Sequence, residues 1–468
     1  MSILIKNGTV VLDEKIENLD IYIEDEKIQK IGKNLNLSAE KIIDAKDKIV
    51  TAGGVDVHTH MSLDLGKFVA CDDFYTGTKA ASYGATTTIC DHIGALEKGA
   101  SLHKLIDHYH DIADGKAVID YSFHGAMYEV NDELIEEIEE LMDEGIPSIK
   151  IYSTYAGKLE DDEILRVLKK AKEVGTIVCV HCENDGLIKE LRKEAIEAGN
   201  LSPKYHALTR PNESEAETIN RLAYLSKVAG DPKLYIVHTS TKEGLDEIKA
   251  ARARGLKNIY CETCTQYLTY DESKYMDNPN EEAVKYICAP PLRKKSDIEA
   301  LWEGIKNGDV DVIATDHCPF IYQSEKKPYA DDFTKAPGGI PGVEERMEVV
   351  LTEGLKRNIP LNKLTNLLCK NPAEIFGFSN KKGSIKEKKD ADIGIFSKNS
   401  YTIKEENRHS KCDYTSYEGY KTDVKVDTVI AKGKIILDKN GYYGKKGMGK
   451  FIKRKLDKEI WWQIKIRF

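Results

Sequence analysis

Gly53-Gly-Val-Asp-Val-His-Thr-His60 decides how this chain is read. Its apolar-leading alternation suits a β-strand, in which residues two apart face the same side. His58 and His60 would then present two imidazoles side by side at the strand's C-terminal end. Two surface histidines can share such a spacing by accident, so the pair gains its meaning from what later strands supply.

From Gly53 onward, strand-like and helix-like stretches alternate. Strands are predicted near 55–60, 86–93, 117–126, 148–154, 177–183, 234–240, 258–264 and 310–316. Charged helical patterns at 131–143, 161–174 and 296–306 lie between them. Eight β-α units in one run favour a TIM-type (β/α)8 barrel over an open sheet. Before the barrel, 3–12, 20–31 and 41–50 read as strands. After about residue 378, strands return at 391–396 and 424–437. Asn7-Gly-Thr-Val-Val-Leu-Asp13 resembles Lys432-Gly-Lys-Ile-Ile-Leu-Asp438, as two strands of one small sheet would. The expected organisation is an α/β chain with a small β-sandwich split by the barrel. Its first part spans 1–52, the barrel 53–377 and the second part 378–440, followed by a tail over 441–468 that contacts another subunit.

Composition narrows the partners. The 468 residues carry 69 basic and 78 acidic side chains, a net charge of -9. That balance argues against a nucleic-acid surface, which shows a basic excess or stripe. The basic run Lys450–Lys455 reads as a solvated or subunit-contacting tail. The N-terminus lacks the features of a secretory signal, and no apolar run approaches the roughly 18 residues of a membrane span. A cytoplasmic protein with no membrane partner is expected, its 10 cysteines thiols rather than disulfides. Cys179-x-x-Cys182 and Cys261-x-x-Cys264 have zinc-ribbon spacing, yet sit in β-branched, strand-like runs rather than Gly-rich knuckles.

Barrel strands should be apolar inside, with chemistry at their C-terminal ends. The polar exceptions fall where a site belongs. His58 and His60 end strand one, Lys150 lies within strand four, His181 ends strand five, His238 ends strand six and Asp316 ends strand eight. Four histidines and a carboxylate at one barrel mouth suit Zn²⁺ or a similar divalent ion. Each has a plainer alternative. His181 or His238 alone reads as a core histidine, Lys150 as a snorkelling lysine, and Asp316 as a helix cap. Five such placements on one barrel outweigh those alternatives taken singly. Lys150 is the odd member, because an ammonium has no lone pair to give a metal. Carboxylation by CO₂ would turn it into an anionic carbamate.

With these residues in place the chain resembles the cyclic amidohydrolases of the dihydropyrimidinase and D-hydantoinase group. The resemblance runs through Gly-Gly-Val-Asp-Val-His-Thr-His (53–60), Ser-Ile-Lys-Ile-Tyr (148–152), Val-His-Cys-Glu-Asn (180–184) and Glu-Thr-Cys-Thr-Gln-Tyr-Leu (262–268). It continues in Pro-Pro-Leu-Arg (290–293) and Ala-Thr-Asp-His-Cys (314–318), and 86–92 and 120–125 look most like the phenylhydantoinase branch. It implies two divalent ions per subunit, Zn²⁺ first, with Mn²⁺ or Co²⁺ as alternatives. His58, His60 and Asp316 would hold one and His181 and His238 the other, bridged by Lys150 as N6-carboxylysine. The implied reaction is hydrolytic opening of a small cyclic ureide, a 5,6-dihydropyrimidine or 5-monosubstituted hydantoin, to an N-carbamoyl amino acid. Asp316 would carry the proton and the Tyr155 hydroxyl would steady the oxyanion. A homotetramer is also implied.

Two positions depart from the family's common pattern. Ala289 stands where a serine is usual and Gly338 where an asparagine is usual, in loops that grip the ureide mainly through backbone. Leu65, in a loop charged by Asp64 and Lys67, would line the substituent pocket with Tyr152 and Leu159. A dihydroorotase-like reading expects an arginine soon after His-x-His, and Met61-Ser62-Leu63 offers none. An allantoinase-like enzyme and a non-enzymatic scaffold relative are the remaining readings.

Overall fold

Eight strands follow one another in chain order around a nearly closed parallel barrel. They are β1 (Gly54–Thr59), β2 (Thr86–His92), β3 (Asp120–Ala126), β4 (Ser148–Tyr152), β5 (Ile177–His181), β6 (Lys233–Ile236), β7 (Ile259–Cys264) and β8 (Val312–Ala314). This is a computed structural model, and it describes residues 2–94 and 99–456. Every predicted barrel strand is present, but β6 and β8 stop before His238 and Asp316. Those two residues take φ of 39° and 54°, a left-handed backbone that cannot continue a pleated strand. The ends of the sheet meet where Thr59 bridges His317 and His60 N–H donates to His317 O at 2.9 Å.

The predicted helical stretches form Asp132–Asp143, Asp161–Val174 and Lys295–Asn307. Each buries a stripe at three- and four-residue spacing, such as Leu134, Ile138 and Leu141. Asn131 caps the first of these, its side chain accepting from Leu134 N–H at 2.9 Å.

The terminal segments join in one mixed nine-stranded sheet rather than two separate ones. The stretch expected at 20–31 is a hairpin of Ile16–Glu24 and Lys27–Gly32, and that at 424–437 a hairpin of Lys425–Ala431 and Lys434–Asp438. Both turn on two left-handed residues, Asp25-Glu26 and Lys432-Gly433, as two-residue hairpins require. The stretch at 41–50 likewise divides into Lys41–Asp44 and Ile49–Ala52. Strand Ile393–Ser397 pairs with Ile49–Ala52, which stitches the C-terminal part to the N-terminal part. The sheet also includes Gly441–Tyr442, beyond the expected boundary at 440. Lys382 locks this unit to the barrel, its ammonium 2.7 Å from Asp120, 2.6 Å from Asp392 and 3.0 Å from Asp390.

The barrel floor is plugged by its own chain. Phe376, Phe378 and Ile452 join the interior residues Val57, Cys179 and Tyr235 in one buried cluster. The run Lys450–Lys455, expected in solvent or a subunit contact, is divided: its lysines are exposed, but Arg454 is buried. It donates to Ser122 Oγ at 2.9 Å, Ser148 Oγ at 2.8 Å and Phe376 O at 3.3 Å. Hydrogen bonds to strand residues, unavailable in solvent, draw this one cation inside. The remainder of the tail, 457–468, lies outside the described residues. Among the described residues no helix is long and apolar enough to cross a membrane.

Arg346 holds the seam of the barrel. Fully buried, it donates to Val55 O at 3.1 Å, Ile313 O at 3.0 Å and Thr86 Oγ1 at 3.2 Å, and its Nε lies 3.7 Å from Asp56 Oδ2. Arg346→Met should therefore destabilise the protein by about 3–5 kcal/mol, because it strands the Asp56 charge and several acceptors in the interior. A denaturant titration comparing the two proteins checks this.

Candidate metal centre and active-site cavity

The predicted ligands converge at the C-terminal mouth of the barrel. His58 and His60 leave β1 with both Nε2 atoms 3.1 Å from Asp316 Oδ1. The other ring nitrogens are spent. His58 Nδ1 donates to Glu262 Oε1 at 2.6 Å, and His60 Nδ1 donates to His92 O at 3.1 Å. In the neutral tautomers these bonds select, two nitrogen lone pairs and a carboxylate oxygen face one point. His58 Nε2 is buried with no aligned hydrogen bond despite its nearness to Asp316. Three acceptors so arranged call for a cation. The field agrees. Burial opposes a charged ring at His58, but Glu262 and Asp316 outweigh it and raise His58 to about 9. This point of the cavity thus favours positive charge, and a bound metal would take the place of the proton on Nε2. At Asp316, burial is overcome by His58 and His60, which hold its carboxyl well below the usual range.

A second group of donors adjoins the first. His238 lies with its ring centre 4.5 Å from that of His181 and 5.4 Å from that of His58. His181 Nε2 donates to Glu183 Oε2 at 2.8 Å, which leaves Nδ1 as its lone-pair nitrogen. Glu183 is also paired with Arg210. Burial would raise Glu183, yet Arg210 and His181 keep it at about 2. Lys150 is buried on β4, its Nζ 5.4 Å from the Tyr152 ring centre. No ion pair joins it to a carboxylate among the described residues, and burial lowers its ammonium from the ordinary lysine range. A neutral amine is the form that adds to CO₂. The residues present thus fit divalent metal ions, with buried Lys150 facing the same cavity.

These residues face a cavity of about 360 Å³, which also takes in Leu65, Tyr152, Tyr155, Ala289 and Gly338. Tyr155 is 41% exposed and holds φ of 74°. With His238 and Asp316 it makes three site residues in a conformation that costs of order 1–3 kcal/mol each, as functional sites often maintain. The Ala289 and Gly338 loops are tied together. Gly339 N–H donates to Ile287 O at 3.0 Å, and buried Lys326 donates to Ile287 O at 3.0 Å and Pro337 O at 3.2 Å. A side chain at Gly338 would meet nothing within 4 Å, so the missing asparagine leaves the cavity wider there. Leu159 does not line the cavity. Its N–H donates to Tyr152 O at 2.9 Å and its side chain turns into the core, so the substituent pocket is built without it.

The sequence reading missed the residues that orient the ligands. Glu262 bonds His58 Nδ1, His238 N–H at 2.8 Å and the Tyr235 hydroxyl at 2.9 Å. A charge inside a barrel strand was the available signal, the same one that singled out Lys150. His92, at the end of β2, and His124, within β3, lie behind the centre with rings stacked 4.1 Å apart. Cys179, Cys182, Cys261 and Cys264 are buried and form no four-thiol metal cluster among the described residues.

Comparison with known proteins agrees with this architecture. The amidohydrolase family profile matches residues 49–436. D-phenylhydantoinase of Escherichia coli K12 is 40% identical over 459 residues, covering 97% of this chain and 98% of its own. Among solved structures, dihydropyrimidinase from Brevibacillus agri is 38% identical with a TM-score of 0.94, covering 97% of this chain and 99% of its own. D-hydantoinase from Bacillus sp. AR9 is 39% identical with a TM-score of 0.94, covering 98% and 100%. With the family profile matching 49–436 and relatives about 40% identical along almost the whole length, the chain belongs to the amidohydrolase family.

Proposed function

We propose that this enzyme opens cyclic ureides, 5,6-dihydropyrimidines and 5-monosubstituted hydantoins, to N-carbamoyl amino acids. One observation carries the reading: two imidazole nitrogens and Asp316 converge beside a buried, unpaired Lys150, in a cavity sized for a small ring. Its relatives named D-phenylhydantoinase, D-hydantoinase and dihydropyrimidinase support the substrate class. Two divalent ions, Zn²⁺ by donor type with Mn²⁺ or Co²⁺ as alternatives, supply Lewis-acid activation of water and of the ring carbonyl when bound. His58, His60 and Asp316 would hold one ion and His181 and His238 the other. Lys150 would serve as a further anionic ligand to them if its neutral Nζ adds to CO₂ and loses a proton to give the carbamate.

The chain's own groups then perform the reaction. Backbone groups of Ala289 and Gly338 grip the ureide edge, on loops whose mutual position Lys326 fixes. Asp316 takes the proton of the attacking water and returns it to the leaving ring nitrogen. Tyr155 presents a hydroxyl to the developing oxyanion. Burial keeps that phenol protonated, and therefore a donor, above the ordinary tyrosine range. Leu65 and Tyr152 face the ring substituent. The thiols are unbridged, which suits a cytoplasmic enzyme, and the family resemblance supports a homotetramer. Light scattering tests the latter.

The test is ring opening of dihydrouracil and racemic 5-phenylhydantoin by the metal-loaded protein, with chiral analysis of the product. Turnover of either is expected, and turnover of neither overturns the reading. Asp316→Asn should lower kcat by about 10²–10⁴-fold with little loss of fold, which steady-state kinetics beside circular dichroism will read. Lys150→Ala should lower bound metal and activity together, and full metal occupancy by elemental analysis would remove the bridge. Glu262→Gln should weaken metal binding by about 10–100-fold, measured by chelator competition.

A further inference from the structure

The cavity holds two arginines in contrasting states. Arg210 is neutralised by Glu183. Arg192 lies on helix Asp185–Glu197, one turn beyond Ile188, and both of these side chains line the cavity. Its Nη2 donates to Thr334 O at 2.5 Å, and its guanidinium carbon lies 5.8 Å from the Phe333 ring centre. Among the described residues no carboxylate lies within ion-pair distance of it. Asp332, close enough for its field to reach Arg192, is itself paired with Lys335 at 2.7 Å.

An unneutralised guanidinium half-withdrawn from water is costly to hold. Burial and the nearby Arg210 charge both disfavour it, and lower its pKa. Packing alone would be served by an uncharged side chain on Phe333. The position has chemical meaning as well. Phe333 and Thr334, which hold the guanidinium, line the same cavity as Gly338, five residues along the chain from Phe333, whose loop grips the ring in the function proposed above. Arg192 is therefore a lining cation of the cavity that takes the ring.

We propose that Arg192 selects cyclic ureides whose exocyclic substituent ends in an anion, with 5-(carboxyalkyl)hydantoins as the substrate class. The inference rests on the ring-opening reading. Water adds to the ring carbonyl carbon, the ring carbon–nitrogen bond breaks, and the proton goes to that nitrogen. The product is the N-carbamoyl derivative of an acidic amino acid, with the substituent carboxylate unchanged and paired to Arg192 throughout. A planar carboxylate matches the guanidinium fork, and the apolar Leu65 and Ile188 of the same cavity suit the connecting carbons.

The experiment compares kcat/KM for 5-(2-carboxyethyl)hydantoin with that for its uncharged isostere, 5-(2-carbamoylethyl)hydantoin, using unsubstituted hydantoin as a third substrate. The metal-loaded enzyme should favour the carboxylate at least tenfold, chiefly through KM, and added salt should erode that preference. Arg192→Gln should lower the ratio at least tenfold, and Arg192→Lys should restore part of it. Taking the ratio within each variant cancels any general loss of folding or metal, which a merely structural clamp on Thr334 would cause equally for both substrates. If hydantoin is opened and the ratio is near one in the unaltered enzyme, or is unmoved in Arg192→Gln, this inference falls while the ring-opening reading stands. If none of the three rings is opened, the ring-opening reading falls and takes this inference with it.

Discussion

A single buried carboxylate orders the centre. Glu262 Oε1 accepts from His58 Nδ1 at 2.6 Å and from His238 N–H at 2.8 Å, while its other oxygen takes the Tyr235 hydroxyl at 2.9 Å. One side chain on β7 thereby sets the tautomer of a ligand on β1 and the backbone of a ligand after β6. Because the carboxylate can only accept, the proton on His58 must sit at Nδ1, and Nε2 turns its lone pair to the cavity. The rest of the donor set is arranged around that orientation. His60 repeats it with the His92 carbonyl, and His181 repeats it with Glu183.

Such an arrangement survives only in a rigid frame. Lone pairs and carboxylate oxygens aimed at one point repel each other, and three site residues hold left-handed backbone. These costs are offset by the barrel around them. Arg346 fastens β1 to β8, Lys382 fastens β3 to the terminal sheet, and Arg454 with Phe376 seals the floor. With the floor closed, the cavity opens at the strands' C-terminal mouth, lined there by loop residues such as Leu65 and Gly338 and by Arg192 of helix Asp185–Glu197. The candidate metal centre thus rests on strands and buried charges, whereas the outer cavity lining is built from loop and helix side chains that can change without disturbing them.

The barrel and the polar residues gathered at its mouth were legible because they leave local marks. Alternating strand and helix patterns announce the (β/α)8 rhythm, and His58, His60, Lys150, His181, His238 and Asp316 are polar residues where apolar ones belong. Strand ends and hairpins were less legible. The left-handed φ at His238 and Asp316, and the turns at Asp25-Glu26 and Lys432-Gly433, occur at residues whose types do not demand them. Leu159 shows a further limit: near Tyr152 in sequence, its side chain packs in the core and not in the cavity lining.

What the sequence by itself determined is the set of chemical groups, their order along the chain and the strands that carry them, since periodicity and residue type act over a few neighbours. Only the tertiary structure decided which groups share an atom's reach. Glu262 meeting His58 across 204 residues, Glu183 neutralising Arg210 while Arg192 meets no carboxylate among the described residues, and Arg454 entering its own barrel all depend on distances set by the closed sheet. Electrostatic pairing acts through space, so the same charged residue becomes a solvated cation, a buried anchor or a ligand's partner according to what the fold places beside it.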